Sequence, residues 1–380
     1  MKLLPCQRDL FEIPPDVSYF DCATISPLLR GAWKASCDGL ERELRPWSIG
    51  PTDFFEDADS VRALAAQLTH AEPDDIALVP GATYGIAVAA ANVPASKGQE
   101  ILMLAGQHTA NAYSWRCVAR DTGAALRVLE RPDDGDWTAR VLEAITPATA
   151  VAALPHVHST DGSPLDLIVV AKELRAVGAA LVVDATHSLG ARQFDVRSIK
   201  PDFMVAGGYK WLLGPYGTGL LYASKERQDG RSIEEPGLNR SGSDNFQGNL
   251  AFLDSYLPGA RRYDVAGKGN FGLLPGFRFA LERINEWGAA SIEHTLTSMS
   301  SAIAQSLCKH DLPDVMDVRA SSHYVSVEFA GPVPGGLIAS LERAKVHASA
   351  RGRWLRVTPH LYNSPEDVDR LLHTLVKGSR

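Results

Sequence analysis

Short apolar runs and helical patterns alternate along the first part of this chain. The helical patterns lie at 83–92, 110–120 and 167–177. The predicted strands are 75–80, 100–104, 125–129, 150–155, 180–184, 203–206 and 220–222. Most of these runs are continuously apolar, which is typical of strands that are covered on both faces, and the interleaved helices indicate crossover connections. The pattern therefore predicts an α/β domain built on a mostly parallel sheet.

The pattern changes after the last of these strands. Residues 225–248 are polar and irregular, 271–307 is helical, and 324–329 alternates as a half-buried strand does. A further strand at 354–358 precedes a terminal helix that begins near Ser364. This tail predicts a smaller α+β domain. The predicted division is an N-terminal segment at 1–25, a large domain at 26–262 and a small domain at 263–380.

Composition argues against several classes of function. The chain has 380 residues, 45% of them hydrophobic, and a formal charge of -7 at pH 7 without a long run of Lys or Arg. This charge argues against nucleic-acid or anionic-membrane binding, so small molecules are the predicted partners. The N-terminus loses its apolar character too early for a secretory signal and no segment has the apolar length of a membrane helix, so a cytoplasmic location is predicted. The five cysteines are scattered without a CxxC pair, which indicates neither a disulfide framework nor a metal site.

Lys210 and Asp184 have the clearest chemistry. Lys210 follows a buried strand and two glycines, where desolvation would lower its pKa and make the amine nucleophilic. Asp184 ends another apolar strand. An amine and a carboxylate at two strand ends suit pyridoxal phosphate, the amine for a Schiff base and the carboxylate for the pyridinium nitrogen. Each residue alone has an ordinary alternative, because such a lysine is usually solvated and such an aspartate usually caps the next helix.

Three further positions add to this site. Gly81, Ala82 and Thr83 join a strand to a helix, so free N–H groups, the helix dipole and a hydroxyl form an anion site sized for a phosphate. The alternative is a simple turn in which Thr83 only caps the helix. His108 could stack on a planar cofactor and His187 could donate a hydrogen bond to a phenolate oxygen, although either could be an ordinary structural histidine.

Arg356 is the predicted carboxylate-binding residue. Its planar guanidinium suits bidentate capture of the carboxylate that every α-amino acid presents, and the alternative is a surface arginine in an edge strand. A separate motif at 267–272 matches the GxGxxG dinucleotide fingerprint. Helices rather than a return strand follow it, so a nucleotide site is not predicted there.

Together these features resemble the class V aminotransferase family of pyridoxal phosphate enzymes, which includes cysteine desulfurases, isopenicillin-N-epimerase-like proteins and C–S lyases. The resemblance spans nearly the whole chain, and its most specific part is Asp184 followed by Lys210 and the glycine-rich stretch 214–219. It implies the type I fold of pyridoxal phosphate-dependent transferases, an N-terminal segment packed near the active site and a homodimer whose interface holds that site.

The resemblance also implies residue roles. Lys210 would form the Schiff base with the cofactor, Asp184 would pair with the ring nitrogen, and His108 would stack on the ring. The implied cofactor-binding residues are Gly81, Ala82, Thr83, His108, Ser159, Asp184, His187, Tyr209 and Lys210, and the implied substrate-binding residues are Arg356 and Asn111.

Several positions depart from the desulfurase pattern. His187 stands where desulfurases usually carry glutamine, and Ser159 where they usually carry asparagine. Gly207 and Tyr209 replace a serine and a histidine that commonly touch the phosphate, although Tyr209 retains a hydroxyl. The stretch 346–354 has no cysteine where a desulfurase carries its persulfide-forming nucleophile, which disfavours desulfurase activity.

The predicted activity is that of a pyridoxal phosphate enzyme in which an amino acid displaces Lys210 to form an external aldimine and Lys210 then removes the Cα proton. Aminotransferase ranks slightly ahead of a lyase that cleaves a Cβ–S or other Cβ bond. A racemase or epimerase and a non-catalytic protein with the same fold are further alternatives, but the Lys210 and Asp184 pair argues against the last.

Overall fold

The computed structural model describes residues 2–246, 252–310 and 312–378. A short strand, β1 (Ser18–Tyr19), precedes the large sheet. In the described part of the chain, this sheet consists of β2 (Ile76–Val79), β3 (Glu100–Leu104), β4 (Ala125–Leu129), β5 (Thr149–Pro155), β6 (Ala180–Asp184), β7 (Phe203–Gly207) and β8 (Gly219–Ala223). Its order is β2-β8-β7-β6-β5-β3-β4. All neighbours from β7 to β4 are parallel, and β8 is antiparallel to both of its neighbours, which confirms the predicted mostly parallel sheet.

Helices cover both faces of the sheet. They are α1 (Arg30–Glu43), α2 (Asp53–Thr69), α3 (Ala82–Asn92), α4 (Tyr113–Thr122), α5 (Trp137–Ala144), α6 (Leu167–Ala176), α7 (Val196–Ile199), α8 (Leu274–Trp287) and α9 (Ala289–Leu307). An apolar core lies on each face of the sheet. In β6, Leu181 and Val183 pack into the core on one face, while Val182 packs into the core on the other. This two-sided burial explains the continuously apolar runs. The predicted helical stretch 271–307 is two helices, which Gly288 separates with a φ of 77°.

The C-terminal region forms its own layer. Its elements are β9 (Val315–Ala320), β10 (Val325–Phe329), α10 (Gly335–Arg343), β11 (Val346–His347), β12 (Ser349–Arg351), β13 (Trp354–Val357) and α11 (Pro365–Gly378). The antiparallel sheet has the order β12-β13-β10-β9, and a third apolar core lies beneath it. Strand β1 pairs in parallel with β11, so the N-terminal segment is attached to this region. The α+β character agrees with the sequence, while the domain boundaries at residues 25 and 262 remain predictions.

The carboxyl ends of the parallel strands bring the candidate site together. Asp184 at the end of β6 is in register with Val205 of β7, two residues before the turn that leads to Lys210. Gly208 in that turn has no room for a side chain, because a Cβ there would lie 2.2 Å from Oγ1 of Thr218. The turn therefore holds the lysine close to the strand ends. None of the helices in the described ranges combines the length and apolar character needed to cross a membrane.

Candidate active site

Lys210 is buried at the end of β7. Its side chain is 3% exposed, and Nζ lies 2.9 Å from Nε2 of His187. Burial lowers the pKa of Lys210 to about 8, although the negative charge of Asp184 opposes this shift. The amine is therefore available in its uncharged form near neutral pH, in agreement with the sequence-based expectation. The solvated-lysine alternative is wrong for this residue.

His187 connects Lys210 to a residue that the sequence did not indicate. Its Nδ1 lies 2.6 Å from the hydroxyl of Tyr324, and its backbone carbonyl lies 2.6 Å from Nε2 of His323. Burial, followed by the charge of Lys210, lowers the pKa of His187 well below its ordinary value. Burial also raises the pKa of Tyr324. Both side chains are therefore uncharged at neutral pH.

Asp184 is buried beside the turn that carries Lys210. Its Oδ1 accepts a hydrogen bond of 2.9 Å from the backbone N–H of Thr186, while Oδ2 has no hydrogen-bond partner among the described residues. The hydroxyl oxygen of Thr186 in turn accepts from the N–H of Gly207 at 3.1 Å, which joins the ends of β6 and β7. The next helix, α7, is capped by Asp195. The alternative that Asp184 caps a helix is therefore wrong, and one carboxylate oxygen is free for another partner.

Arg356 is 2% exposed in β13, which lies between β12 and β10. The alternative of a surface arginine in an edge strand is therefore wrong. Its guanidinium donates to the Ser349 hydroxyl at 2.8 and 3.1 Å, to the Ser159 carbonyl at 2.7 Å and to the Thr24 hydroxyl at 3.1 Å. Its ion-pair partner in the described residues is Asp21, at 3.9 Å. The guanidinium is thus buried among neutral hydrogen-bond acceptors, and no carboxylate in the described ranges hydrogen-bonds to it.

His108 lies at the exposed mouth of the site. Its Nδ1 accepts from the N–H of Ala110 at 3.2 Å, and its ring centroid is 5.8 Å from that of His187. Desolvation and the charge of Lys210 lower the pKa of His108. The imidazole is therefore neutral and presents a planar face near the lysine.

These side chains surround a cavity of about 300 Å³. The predicted residues that line it are His108, Ser159, His187, Tyr209, Lys210 and Arg356. Lining residues that the prediction missed include Thr24, Gln107 and Thr160, and Arg351 also lines the wall. A larger cleft of about 700 Å³ lies at the amino ends of β6 and β7, away from these groups, and is lined by side chains of mixed charge. Lys210, His108 and Arg356, which have the predicted chemistry, therefore line the smaller cavity.

Some predicted residues do not line this cavity. Helix α3 begins at Ala82, so Thr83 lies inside the helix and is not its cap. A Cβ built on Gly81 would meet no atom within 4 Å, which leaves open space before the first N–H groups of the helix. Asn111 is 1% exposed and accepts a hydrogen bond of 3.3 Å from Nε1 of Trp115. Its Nδ2 has no hydrogen-bond partner among the described residues, and its role in substrate binding remains a prediction.

The residues present fit pyridoxal phosphate. The cavity offers a buried amine on Lys210, and the free Oδ2 of Asp184 can serve a ring nitrogen. The open space before α3 suits an anion, since helix N-termini favour negative charge. The donor set therefore matches an aldehyde cofactor that carries a ring nitrogen and a phosphate.

Comparison with known proteins agrees with this chemistry. The sequence matches the family described as Aminotransferase class-V over residues 51–371. A probable cysteine desulfurase of Pyrococcus abyssi is 25% identical over 339 residues, which cover 84% of this chain and 83% of the relative. Isopenicillin N epimerase of Streptomyces clavuligerus is 26% identical over 339 residues, which cover 83% of this chain and 82% of the relative.

Solved structures show the same fold. A C-DES mutant with glycine covalently linked to its PLP cofactor superposes with a TM-score of 0.83 at 20% identity, covering 97% of this chain and 99% of that chain. A second C-DES structure, described as a cystine C–S lyase with its product cysteine persulfide, has a TM-score of 0.82 at 20% identity and covers 95% of this chain and 98% of that chain. The predicted type I fold is confirmed. Because the family match spans most of the chain, the chain belongs to the class V aminotransferase family, and its cofactor is pyridoxal phosphate.

Proposed function

We propose that this enzyme removes the Cα proton of an amino acid and transfers its amino group. The observation that carries the proposal is that one cavity pairs an amine that can be uncharged with a guanidinium to which no carboxylate of the described residues hydrogen-bonds. Lys210 supplies the first and Arg356 the second. An α-amino acid presents the complementary groups, a carboxylate and an acidic Cα–H.

Arg356 would bind the substrate carboxylate. Its present hydrogen-bond partners are two hydroxyls and a carbonyl, and its ion-pair partner Asp21 lies 3.9 Å away, so an incoming carboxylate would be the first to hydrogen-bond to it among the described residues. A hydrogen bond to a charged group contributes roughly 1.5–3 kcal/mol. Binding at Arg356 would orient the substrate so that its Cα faces the amine.

The cofactor would be held by residues of the large sheet. Lys210 would bind it covalently through Nζ, Asp184 would face the ring nitrogen and His108 would stack on the ring. The N-terminus of α3, with Gly81, Ala82 and Thr83, would hold the phosphate with the Tyr209 hydroxyl, while His187 and Ser159 would contact the ring substituents. When bound, the cofactor withdraws electrons from the substrate Cα. Lys210, released from the cofactor, would then accept the Cα proton as an uncharged base.

Transamination is the simplest use of this cavity, because it needs no protein acid or base beyond Lys210. Desulfurase activity is disfavoured, since it needs an accessible thiol. No cysteine lines the cavity within the described ranges. Cys22 is buried and its burial raises the pKa of the thiol. The remaining cysteines, Cys6, Cys37, Cys117 and Cys308, are exposed outside the cavity lining.

Cleavage of a Cβ–S bond is the second candidate. It needs a proton donor for the departing thiolate, and the hydroxyls of Thr24, Ser159, Thr160 and Tyr209 line the cavity. The cystine lyase among the structural neighbours gives this candidate a relative of known chemistry.

A substrate panel separates these reactions. The holoenzyme would be incubated with amino acids and cysteine S-conjugates, with and without an oxo acid acceptor, and the release of oxo acid, ammonia, pyruvate and thiol would be measured. Oxo acid without free ammonia supports transamination, whereas equal amounts of pyruvate, ammonia and thiol support the lyase. Exchange of Cα–H with deuterated solvent and loss of chirality alone would indicate a racemase. No reaction, with Lys210→Ala behaving as wild type, would contradict the enzymatic proposal.

Attachment of the cofactor has its own test. Borohydride reduction of the holoenzyme should fix the cofactor on Lys210, and mass spectrometry of the peptides would locate it. Lys172, which is exposed on α6, serves as the internal control. An adduct elsewhere would overturn the assignment of Lys210.

A homodimer is also part of the proposal. Trp33, Leu40, Leu44 and Trp47 are each more than half exposed along α1 and the turn that follows it. Such an apolar surface suits a second copy of the chain. Sedimentation of a monomer at micromolar concentration would contradict this. The cytoplasmic location remains a prediction.

A further inference from the structure

The hydroxyl of Tyr324 lies behind the catalytic amine. Its oxygen is 2.6 Å from Nδ1 of His187, and Nε2 of the same imidazole is 2.9 Å from Nζ of Lys210. All three side chains are at most 3% exposed. The Tyr324 ring is fixed in place, because Gly162 packs so closely that a Cβ there would lie 2.4 Å from Cβ of Tyr324. Tyrosine, histidine and lysine therefore form a short, buried hydrogen-bonded chain.

The position of the protons in this chain follows from counting donors and acceptors. In the described residues, His187 Nδ1 is the hydrogen-bond partner of the Tyr324 hydroxyl, so the phenolic proton lies on that bond. A neutral imidazole has one donor and one acceptor nitrogen, so Nε2 carries the ring proton. The Nε2–H then points at Nζ of Lys210, which can accept it only as an uncharged amine.

The opposite arrangement leaves a proton without a partner. If Lys210 were an ammonium, it would donate to Nε2, and Nδ1–H would donate to the Tyr324 oxygen. The phenolic proton would then be buried without an acceptor among the described residues, which is unfavourable. The hydrogen bond of the Tyr324 hydroxyl and the protonation of the Lys210 amine are therefore coupled through the tautomer of His187.

We propose that Tyr324 is a positioning residue whose hydroxyl fixes the Nε2–H tautomer of His187 and thereby favours the uncharged amine of Lys210. The inference rests on the proposed role of Lys210 and goes beyond the contact with the cofactor that family resemblance implies for His187. Histidine stands at position 187 where desulfurases usually carry glutamine. Only an imidazole can respond to a hydrogen bond at one ring nitrogen by placing its proton on the other nitrogen.

Other titratable and charged groups surround the hydrogen-bonded side chains of Tyr324, His187 and Lys210 and also influence their pKa values. The acidic groups around them are Asp21, Cys22, Asp161 and Asp184, and the basic groups are His108, His323, Arg351 and Arg356. None of them makes a hydrogen bond to the His187 ring or to Nζ of Lys210 in the described part of the chain. Removal of the Tyr324 hydroxyl leaves all of these charges in place, so a change in Lys210 would report the hydrogen bond.

The first experiment measures the amine in full-length protein from which the cofactor has been removed. Competitive acetylation with acetic anhydride across pH 6–11, followed by peptide mass spectrometry, gives the pH at which Lys210 becomes reactive, with Lys172 as internal standard. In Tyr324→Phe this midpoint should rise by about one pH unit, which means roughly tenfold less uncharged amine at neutral pH. Tyr362→Phe is the matched control, because Tyr362 is equally buried but its hydroxyl has no hydrogen bond to His187 or Lys210. An unshifted midpoint in Tyr324→Phe would overturn the proposal.

The second experiment measures the tautomer directly. In wild-type protein, ¹⁵N-histidine spectra should show His187 protonated at Nε2, with the signal assigned through His187→Gln. In His187→Gln, the added Tyr324→Phe change should no longer move the Lys210 midpoint. If wild-type His187 carries its proton on Nδ1, the proposal is overturned, even if Tyr324→Phe fails to fold. The proposal is also overturned if Tyr324→Phe shifts the Lys210 midpoint equally in the His187→Gln background. A failed substrate panel would overturn the proposed reaction but leave these cofactor-free measurements unchanged.

Discussion

The chain buries two arginines to nearly the same extent but gives them different partners. Arg62 is 1% exposed and forms a bidentate ion pair with Asp264, while it also donates to the Ile76 carbonyl at 2.7 Å. Lys268 lies 3.1 Å from the same carboxylate. Arg356 is 2% exposed and has hydroxyls and a carbonyl around it, with its ion-pair partner at 3.9 Å.

The difference separates a charge that is neutralised within the fold from one that is proposed to bind substrate. The charge of Arg62 is neutralised within the fold, where Asp264 also accepts from the N–H of Leu78 and so ties α2 to β2. Arg356 lacks such neutralisation, although a buried charge is costly unless it is paired. Such a cation, which lies beside a cavity and has no hydrogen-bonded carboxylate among the described residues, supports the proposed binding of a substrate carboxylate there.

The largest effect is expected from breaking the structural pair. Arg62→Met leaves Asp264 buried with Lys268 and the N–H of Leu78 as its remaining partners, and the free energy of unfolding should fall by about 3 kcal/mol. Denaturant unfolding measures this. Arg278→Met, which removes a half-exposed arginine paired with Asp57, is the control and should cost less than about 1 kcal/mol. Equal losses in the two variants would contradict the structural role.

Lys210 is a further buried basic residue and tests how much the burial of a charge costs in folding free energy. Its folded pKa is about 8 and its ordinary value is 10.5, so the unfolded chain binds more protons between these pH values and stability should rise with pH there. Without cofactor, Lys210→Met should be more stable than wild type at pH 7 by at most about 3 kcal/mol, and this advantage should vanish by about pH 10.5. Denaturant unfolding at several pH values measures this difference in the free energy of unfolding, and Lys172→Met is the control. A difference that does not vary with pH would exclude this titration.

Arg356→Lys should weaken amino-acid binding by about 1.5–3 kcal/mol, because a point charge replaces a bidentate fork. Its folding stability and cofactor spectrum should change much less, in contrast to Arg62. Spectroscopic titration with substrate measures the binding. Arg353→Lys, outside the cavity lining, is the matched control. Wild-type binding by Arg356→Lys would place the carboxylate site elsewhere, with Arg351 as the next candidate on the cavity wall.

The smallest effect is expected from an exposed charge. Lys34 pairs with Asp38 at 2.9 Å on the surface of α1, and both side chains are more than half exposed. Lys34→Ala should leave the melting temperature unchanged within error, since solvent screens such pairs. A clear fall in the melting temperature would show that burial does not explain why the buried charges matter more for stability than the exposed ones.

Local sequence signals predicted the fold and part of the site. The continuously apolar runs indicated a sheet covered on both faces, and the glycines before Lys210 indicated a tight turn after a strand. Asp184 was included in the predicted site because it ends an apolar strand, and the carboxyl ends of parallel strands meet at one edge of the sheet. Tyr324 and Thr24 were missed, since each reaches the site only through tertiary packing and neither has a local signal. The role of Asn111 remains a prediction, because sequence spacing does not show that its side chain is buried outside the cavity lining.

The pairing of β1 with β11 has a consequence for synthesis of the chain. Ser18 is made before all the strands of the large sheet, whereas its partner Val346 is made after all of them. Contacts between such distant segments form late, because a long loop must close first. The cavity wall that carries Thr24, Arg351 and Arg356 is therefore completed only after the large sheet and β11 have been made. A chain released early would contain Lys210 and its sheet but could not form a complete substrate site.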